Sequence, residues 1–487
     1  MNEVSITAAD LFTVSPIIAL TATGFIVVAM GLWGARLSKY VILIVTLVGI
    51  GVAALLTIQL WDANATAFHG MVVCDNYALT FNLIFFAGAI LSVLLAFNKY
   101  EESYLLYPEF SAITLFATVG MSLMASSTNL LIIFLGLETL SISLYVLAGI
   151  KRTESHSLEA AFKYFLLGAF ASAFLLYGIA LLYGASGSLD LKNVSAIVAE
   201  SNNAGSPLLL FGSLLIFIGL AFKAAVFPFH MWAPDVYQGA PTPISAFMST
   251  GSKAAGFAAM IRVLFTLSAS AGTVADLTTI FSILAVLTMF FGNITAIRQK
   301  NVKRMLAYSS IAHAGYIMIG IVAWNETGAS SIIFYLMSYT FMNVGAFGVV
   351  SYLGSKSGEF QQIDDLKGLG YQRPFVALLM SVFMFSLAGL PPTAGFIGKF
   401  YLFSAAVKTG HIALVVLGVI NSMISVYYYL GVVVAMFMRD SEEERDYAKK
   451  TPVVALSLVL SMISVLGIGI FPSYFMTTFQ RLVSFIL

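Results

Sequence analysis

Four ionisable side chains lie inside long apolar stretches of the sequence, where a charge is costly. Glu138 is at the centre of the stretch 129–149 and Lys253 at the centre of 242–266, while Lys223 and Lys399 lie beside prolines in two others. A lysine at the centre of a bilayer costs about 2.5–3.5 kcal/mol on insertion scales unless it faces a polar interior. Amines and carboxylates bind and release protons, so these residues predict an internal proton path.

Four further residues are secondary candidates or have a structural explanation. His313 lies at the centre of its apolar stretch, within YSSIAHAGY, and His230 follows Lys223 by about two helical turns. A lone histidine is often a satisfied core residue, but serines and a tyrosine beside His313 favour a proton relay. Lys163 is a third candidate, although an i,i+4 pair with Glu159 explains it equally well. Arg262 lies near the end of its stretch, which favours a structural role.

The composition requires a membrane around these residues. Of the 487 residues, 60% are hydrophobic and 10% are charged, against about 45–50% and about 25% in soluble domains. The net charge of +1 and the absence of a basic face give no reason to expect nucleic-acid binding. The sequence predicts an all-α polytopic membrane protein of fourteen transmembrane helices, at 11–33, 40–60, 77–98, 110–127, 129–149, 160–184, 207–227, 242–266, 275–297, 304–324, 329–353, 375–407, 411–438 and 452–472.

Two of these helices are predicted to be discontinuous. Residues 375–407 would form a helix of some 50 Å at 1.5 Å per residue, longer than a hydrocarbon core of about 30 Å. Pro391 and Pro392 interrupt that run before Lys399, and Pro228 interrupts the seventh helix after Lys223. Unwound backbone at membrane depth lies beside protein or a watery cavity, so both lysines are expected to face a hydrated interior. Proline kinks that only improve packing are the alternative.

The order of the helices predicts an internal repeat. Helices 4–8 and 9–13 form two five-helix units, and the odd number makes the second unit inverted relative to the first. The predicted divisions are an N-terminal part with helices 1–3, the first repeat, the second repeat and a C-terminal helix 14, at residues 1–109, 110–266, 267–438 and 439–487. The two discontinuous helices then occupy the same place in each unit.

The basic residues predict the orientation. Sixteen lysines and arginines lie in loops that follow odd-numbered helices and three in loops on the other side, so the odd loops are expected in the cytoplasm and both termini outside. The only cysteine, Cys74, then lies in an outer loop and should react with an impermeant thiol reagent. One cysteine forms no intrachain disulfide, zinc site or iron–sulfur cluster, so such centres are expected on other chains.

Three long motifs are similar to those of a known family. KAAVFPFHMWAPDVYQGAPTPISAFMSTGSKAAGF from Lys223, NVKRMLAYSSIAHAGY from Asn301 and LAGLPPTAGFIGKF ending at Lys399 resemble the antiporter-like subunits of respiratory complex I over nearly the whole chain. The resemblance is greatest to the N subunits. The L subunits are longer and end in a lateral amphipathic helix, for which no room is expected after residue 472, and the M subunits typically have glutamate at the position of Lys399.

The resemblance implies a function and a set of partners. In the family, a glutamate and three lysines at the positions of Glu138, Lys223, Lys253 and Lys399 form a hydrophilic axis across the membrane. It implies a proton-translocating subunit of an NADH:quinone oxidoreductase in the cell inner membrane, beside other antiporter-like and peripheral subunits. NADH, FMN, iron–sulfur clusters and quinone are expected on those partners, and no cofactor on this chain. A subunit of a multisubunit cation/proton antiporter is the alternative.

Overall fold

The computed structural model describes residues 6–32, 38–97, 108–200, 207–268, 274–354, 360–441 and 452–483. Nearly all of this part of the chain is helical. The α-helices are α1 Ala8–Thr13, α2 Ser15–Leu32, α3 Lys39–Gln59, α4 Asn76–Leu95, α5 Pro108–Ala125, α6 Leu130–Ala148, α7 Ser155–Ser186, α8 Leu191–Glu200, α9 Pro207–Ala224, α10 Trp232–Gly239, α11 Thr242–Phe247, α12 Lys253–Ser268, α13 Val274–Ile297, α14 Val302–Val322, α15 Glu326–Tyr352, α16 Leu369–Gln372, α17 Pro374–Ala388, α18 Ala394–Lys408, α19 Ile412–Met438, α20 Pro452–Ile470 and α21 Pro472–Val483.

Twelve helices of the described residues are long and apolar enough to cross a membrane. They coincide with twelve of the fourteen predicted crossings, so the polytopic all-α class is confirmed. The other two predicted crossings, the eighth and the twelfth, are each assembled from shorter helices. The count of fourteen crossings and the inverted repeat stay predictions.

Both helix breaks occur where the prolines predict them. The seventh crossing stops at Ala224 and resumes as α10, and the twelfth is divided into α17 and α18. Gly389 ends α17 with φ +86°, a left-handed conformation that glycine adopts readily. Proline has no backbone N–H and collides with the preceding turn, so neither helix continues through its linker. The prediction of discontinuous helices is confirmed.

The eighth crossing has a feature that the sequence did not predict. It runs from α11 through one π-helical turn, Met248–Ser252, into α12. A π turn adds a residue to the helix and changes the direction in which the following side chains point. Lys253 is the first residue after this turn, so the π turn sets the position of its side chain.

The centre of the molecule is formed by α14 and α15, which are buried along almost their whole length. The peripheral helices keep one apolar face outward, as expected where the neighbour is lipid or another subunit. Small residues bring some helices close together. A Cβ on Gly120 of α5 would lie 2.6 Å from the carbonyl oxygen of Gly136 on α6, so only glycine permits this approach.

Two expectations outside the crossings are wrong. A short hairpin of strands β1 Ala65–Ala67 and β2 Val72–Cys74 lies between α3 and α4. It buries Cys74 to 4% exposure, and burial, together with the charge of Asp75, raises the pKa of its thiol to about 11. Because the thiolate is the reactive form, Cys74 is a poor target for a thiol reagent on either side. Residues after 472 also form a helix, α21, where none was expected.

Candidate functional site

Lys223 lies in the last turn of α9, immediately before the break in the seventh crossing. Its side chain is 3% exposed. The ammonium donates hydrogen bonds to the Ser141 hydroxyl at 3.0 Å and to the Tyr164 hydroxyl at 3.1 Å. Both partners are neutral, and among the described residues Lys223 has no ion pair. The lysine is therefore hydrogen-bonded in a buried site without a fixed counter-charge.

Glu138 lies on α6, nearly one turn before Ser141. Its carboxylate accepts a hydrogen bond from the Ser172 hydroxyl of α7. Among the described residues no ion pair joins Glu138 to Lys223, whose ammonium instead donates to Ser141 on the same helix as Glu138. Its place at the centre of an apolar stretch predicted a buried carboxylate, and the structure leaves Glu138 half-buried. The reason is that α6 turns part of its surface outward.

Lys253 faces the same break from the opposite side. Its side chain is 1% exposed, and its ammonium donates to the carbonyl oxygens of Ser310 at 2.6 Å and Ala224 at 3.3 Å. Ala224 follows Lys223 directly and ends α9. The free carbonyl at a helix C-terminus is a favourable site for a cation. The break thus provides, at the residue after Lys223, the carbonyl that binds Lys253.

His313 continues the polar path through α14. Its ring is 1% exposed. Nδ1 lies 2.5 Å from the Tyr335 hydroxyl and Nε2 lies 3.0 Å from the Tyr429 hydroxyl, which is also hydrogen-bonded to Ser309. Both nitrogens of the imidazole therefore have hydroxyl partners, and each hydroxyl is able to donate or accept a proton.

Lys399 ends the path at the second break. Its side chain is 4% exposed, and its ammonium donates to the carbonyls of Leu387 and Ala388 at 3.1 and 3.0 Å and to the Ser422 hydroxyl at 2.9 Å. The two carbonyls belong to the C-terminus of α17, so Lys399 occupies the same kind of helix-end site as Lys253. It also lies 4.8 Å from the centre of the Tyr316 ring.

Two cations lie outside this path, in ion pairs. Lys163 is 40% exposed and pairs with Glu159 and Asp235, each at 2.7 Å. Arg262 is 3% exposed, and its guanidinium forms two hydrogen bonds with the Asp75 carboxylate, at 2.8 and 2.9 Å. The i,i+4 pair foreseen for Lys163 is present. The pair with Asp75 agrees with the structural role predicted for Arg262.

His230 also lies apart from the path. It is 4% exposed, and its ring centre lies 5.4 Å from that of Phe227 and 4.7 Å from that of Phe291. No side chain among the described residues hydrogen-bonds its Nδ1. The structure therefore places His230 in an aromatic environment, and no hydrogen bond among the described residues joins it to any of the three buried lysines.

Several polar residues of this region were missed by reasoning from the sequence. Asn293 donates to Tyr316 and Asn421 and accepts from Tyr428, deep between α13, α14 and α19. Lys303, assigned to a cytoplasmic loop, is buried and donates to the Ala240 carbonyl at 2.7 Å. The sequence did contain a signal for Asn293, because an asparagine within an apolar helix requires a hydrogen-bonding partner.

The described residues contain no group of three or more histidine, cysteine, aspartate or glutamate side chains placed to bind a metal ion. The site consists of amines, hydroxyls, an imidazole and a carboxylate. These groups bind and transfer protons, and they are arranged from α6 to α18 in the order Glu138, Lys223, Lys253, His313 and Lys399. We refer to these five residues as the polar axis.

Known proteins share this architecture. The transmembrane family of NADH:quinone oxidoreductases and Mrp antiporters matches residues 127–425. NADH-quinone oxidoreductase subunit N of Trichlorobacter lovleyi is 49% identical over 98% of both chains. Subunit N 1 of Herpetosiphon aurantiacus is 43% identical over 91% of both.

Solved structures agree with these relatives. A chain of respiratory complex I from Thermus thermophilus with bound aureothin has a TM-score of 0.80 and 35% identity, covering 95% of this chain and 98% of that one. A chain of the Mrp complex from Dietzia has a TM-score of 0.83 but 19% identity, which shows the shared fold alone. The chain belongs to the family of the N subunits of NADH-quinone oxidoreductase.

Proposed function

We propose that this subunit translocates protons across the membrane through the polar axis, driven by electron transfer from NADH to quinone in its partner subunits. The observation that carries the proposal is the environment of the three buried lysines. Each ammonium is held by carbonyls or hydroxyls, and none of the three has an ion pair among the described residues. Each lysine can lose its proton without leaving a buried anion uncompensated.

Glu138 is the proposed trigger. A carboxylate near a desolvated amine stabilises the charged amine, and when the carboxylate moves away this stabilisation weakens, so that burial favours the neutral form. Glu138 is hydrogen-bonded to Ser172, and it lies on the helix whose Ser141 binds the Lys223 ammonium, so in this proposal movement of the Glu138 side chain towards or away from Lys223 switches the charge of that lysine. Lys253 and His313 then carry the proton to Lys399, the proposed outlet end. Lys163 and His230 do not contact the axis and take no step in this scheme.

The partners supply the redox chemistry in this proposal. The chain is one subunit among the others of complex I, as its relatives and structural neighbours are. NADH, FMN, iron–sulfur clusters and quinone are assigned to those other subunits, because a lone, buried Cys74 provides no cluster ligands. A multisubunit antiporter is disfavoured, since the relatives at 49% and 43% identity are both NADH-quinone oxidoreductase subunits.

The proposal includes an orientation and a division of the chain. The charge distribution in the loops favours the cell inner membrane with both termini on the periplasmic side. The two five-helix units, 110–266 and 267–438, each contain one crossing that is broken at prolines, which supports an inverted repeat with the transport site at the breaks.

The test is Lys223→Met in the whole complex. Methionine keeps an apolar stem but holds no proton, so proton pumping by inverted membrane vesicles given NADH and a quinone should fall strongly while the complex still assembles. Lys192→Met is the matched control, because Lys192 is exposed on α8. Normal pumping by Lys223→Met would reject the proposed function. Isolation of the chain without flavin and iron–sulfur partners would favour the antiporter alternative.

A further inference from the structure

One half-buried carboxylate joins three helices beyond the break in the seventh crossing. Asp235 lies on α10, the short helix that follows the break. Its Oδ2 accepts from the Lys163 ammonium of α7 at 2.7 Å, and its Oδ1 accepts from the Arg304 guanidinium of α14 at 2.7 Å. Arg304 also donates to Gln238, one turn further along α10, at 3.0 Å. The ion pairs therefore tie α10 to α7 on one side and to α14 on the other.

The next layer inward is aromatic and leads to Lys223. Tyr164, adjacent to Lys163 in sequence, stacks on Trp232, with ring centres 4.5 Å apart and planes 12° apart. Trp232 lies three residues before Asp235, so both face the same side of α10. Its indole N–H donates to the Phe222 carbonyl at 2.9 Å, beside Lys223.

The contacts form a chain from the surface to the axis. Asp235 fixes Lys163, the neighbouring Tyr164 stacks on Trp232, and the Tyr164 hydroxyl accepts from the Lys223 ammonium at 3.1 Å. No hydrogen bond or ion pair of the described residues joins Asp235 to Lys223 directly, and the contacts between them are those of Lys163, Tyr164 and Trp232. Because Asp235 is 34% exposed, its ion pairs contribute little energy by themselves, and their effect is on position.

We propose that Asp235 is a positioning residue for Lys223: it holds α10 against α7 so that the Trp232–Tyr164 stack presents the Tyr164 hydroxyl to the buried ammonium. This inference rests on the proposed function of Lys223. It assigns Lys163 to the same clamp as a fixed cation, since Lys163 is paired on both sides by carboxylates.

The experiment is a double-mutant cycle in the whole complex, with NADH-driven proton pumping as the readout. Asp235→Asn and Tyr164→Phe should each slow pumping several-fold without loss of the subunit. If both substitutions act on Lys223 through one contact, their effects on the pumping rate should not simply multiply. The double variant should then pump at least about 2 times faster than the rate obtained by multiplying the relative rates of the two single variants. Asp235→Glu should recover part of the rate, since it keeps the charge.

Glu154→Gln is the matched control, because it removes a 52% exposed carboxylate from an ion pair, with Lys151, that lies outside this clamp. It should pump at the wild-type rate. If Asp235→Asn fails to assemble, Lys163→Gln replaces it in the cycle. The inference would be overturned if the losses of pumping rate in Asp235→Asn and Tyr164→Phe simply multiplied in the double variant. It would also be overturned if Asp235→Asn pumped at the wild-type rate. Normal pumping by Lys223→Met would instead reject the function on which it rests.

Discussion

Six cations of the described residues fall into two groups with opposite surroundings. Arg262, Lys163 and Arg304 face carboxylates at 2.7–2.8 Å. Lys223, Lys253 and Lys399 are buried in the membrane interior and are held only by carbonyls and hydroxyls. A carboxylate fixes a cation in its charged form, because a lost proton would leave an unpaired anion. Neutral partners impose no such penalty, and the second group is therefore suited to change its charge.

The strongest disruption of the paired group should come from Arg262→Gln. The variant leaves the Asp75 carboxylate without its partner at a site where the arginine is 3% exposed. Removal of one member of a buried pair costs about 3–5 kcal/mol. The amount of this subunit in the assembled complex should fall sharply, as measured by immunoblotting of purified membranes. The double variant Asp75→Asn/Arg262→Gln should recover part of it, and full assembly of the single variant would contradict the argument.

Lys399→Arg separates the two groups most directly. Arginine keeps a positive charge able to bind the carbonyls of Leu387 and Ala388, but it does not release its proton in a protein. A relay should therefore fail with arginine nearly as completely as with Lys399→Met, at unchanged subunit content. A cation that only stabilises the end of α17 should tolerate arginine. Near-normal pumping by inverted vesicles from the arginine variant would move Lys399 into the fixed group.

Glu138→Gln should have an intermediate effect. Glutamine keeps the size and the hydrogen bond with Ser172 but removes the charge that is proposed to act on Lys223. Pumping coupled to NADH oxidation should fall, while assembly remains normal because Glu138 is half-buried and its partner is neutral. Ser172→Ala is the control, since it keeps the carboxylate and removes its hydrogen bond. If glutamine pumps as the wild type does, Glu138 is not the trigger.

Lys163→Arg should have the smallest effect. Arginine preserves the positive charge between Glu159 and Asp235, so a clamp should retain most of the pumping rate. The same substitution that stops a relay at Lys399 is thus expected to be tolerated here, and the ratio of the two rates measures the difference between the groups. A large loss at Lys163 would show that this lysine does transfer protons.

Reasoning from the sequence identified the helix breaks and the buried lysines of the candidate site because their signals are local. Prolines beside Lys223 and Lys399 mark breaks in an apolar helix, and a charge at the centre of such a helix has to be explained wherever it occurs. The same reasoning failed for Cys74, which the hairpin of β1 and β2 buries, and for Lys303, which contacts the end of α10. Both errors came from treating a loop position as exposed.

The sequence by itself determined that this chain spans a membrane, where two of its helices break, and which ionisable groups lie at membrane depth. Those properties follow from the free energy of transferring each short segment into hydrocarbon. Only the tertiary structure decided what each cation faces. Lys253 meets Ala224 and Ser310, and Arg262 meets Asp75, across 29, 57 and 187 residues of chain. No local pattern encodes such contacts, because they depend on how the helices pack.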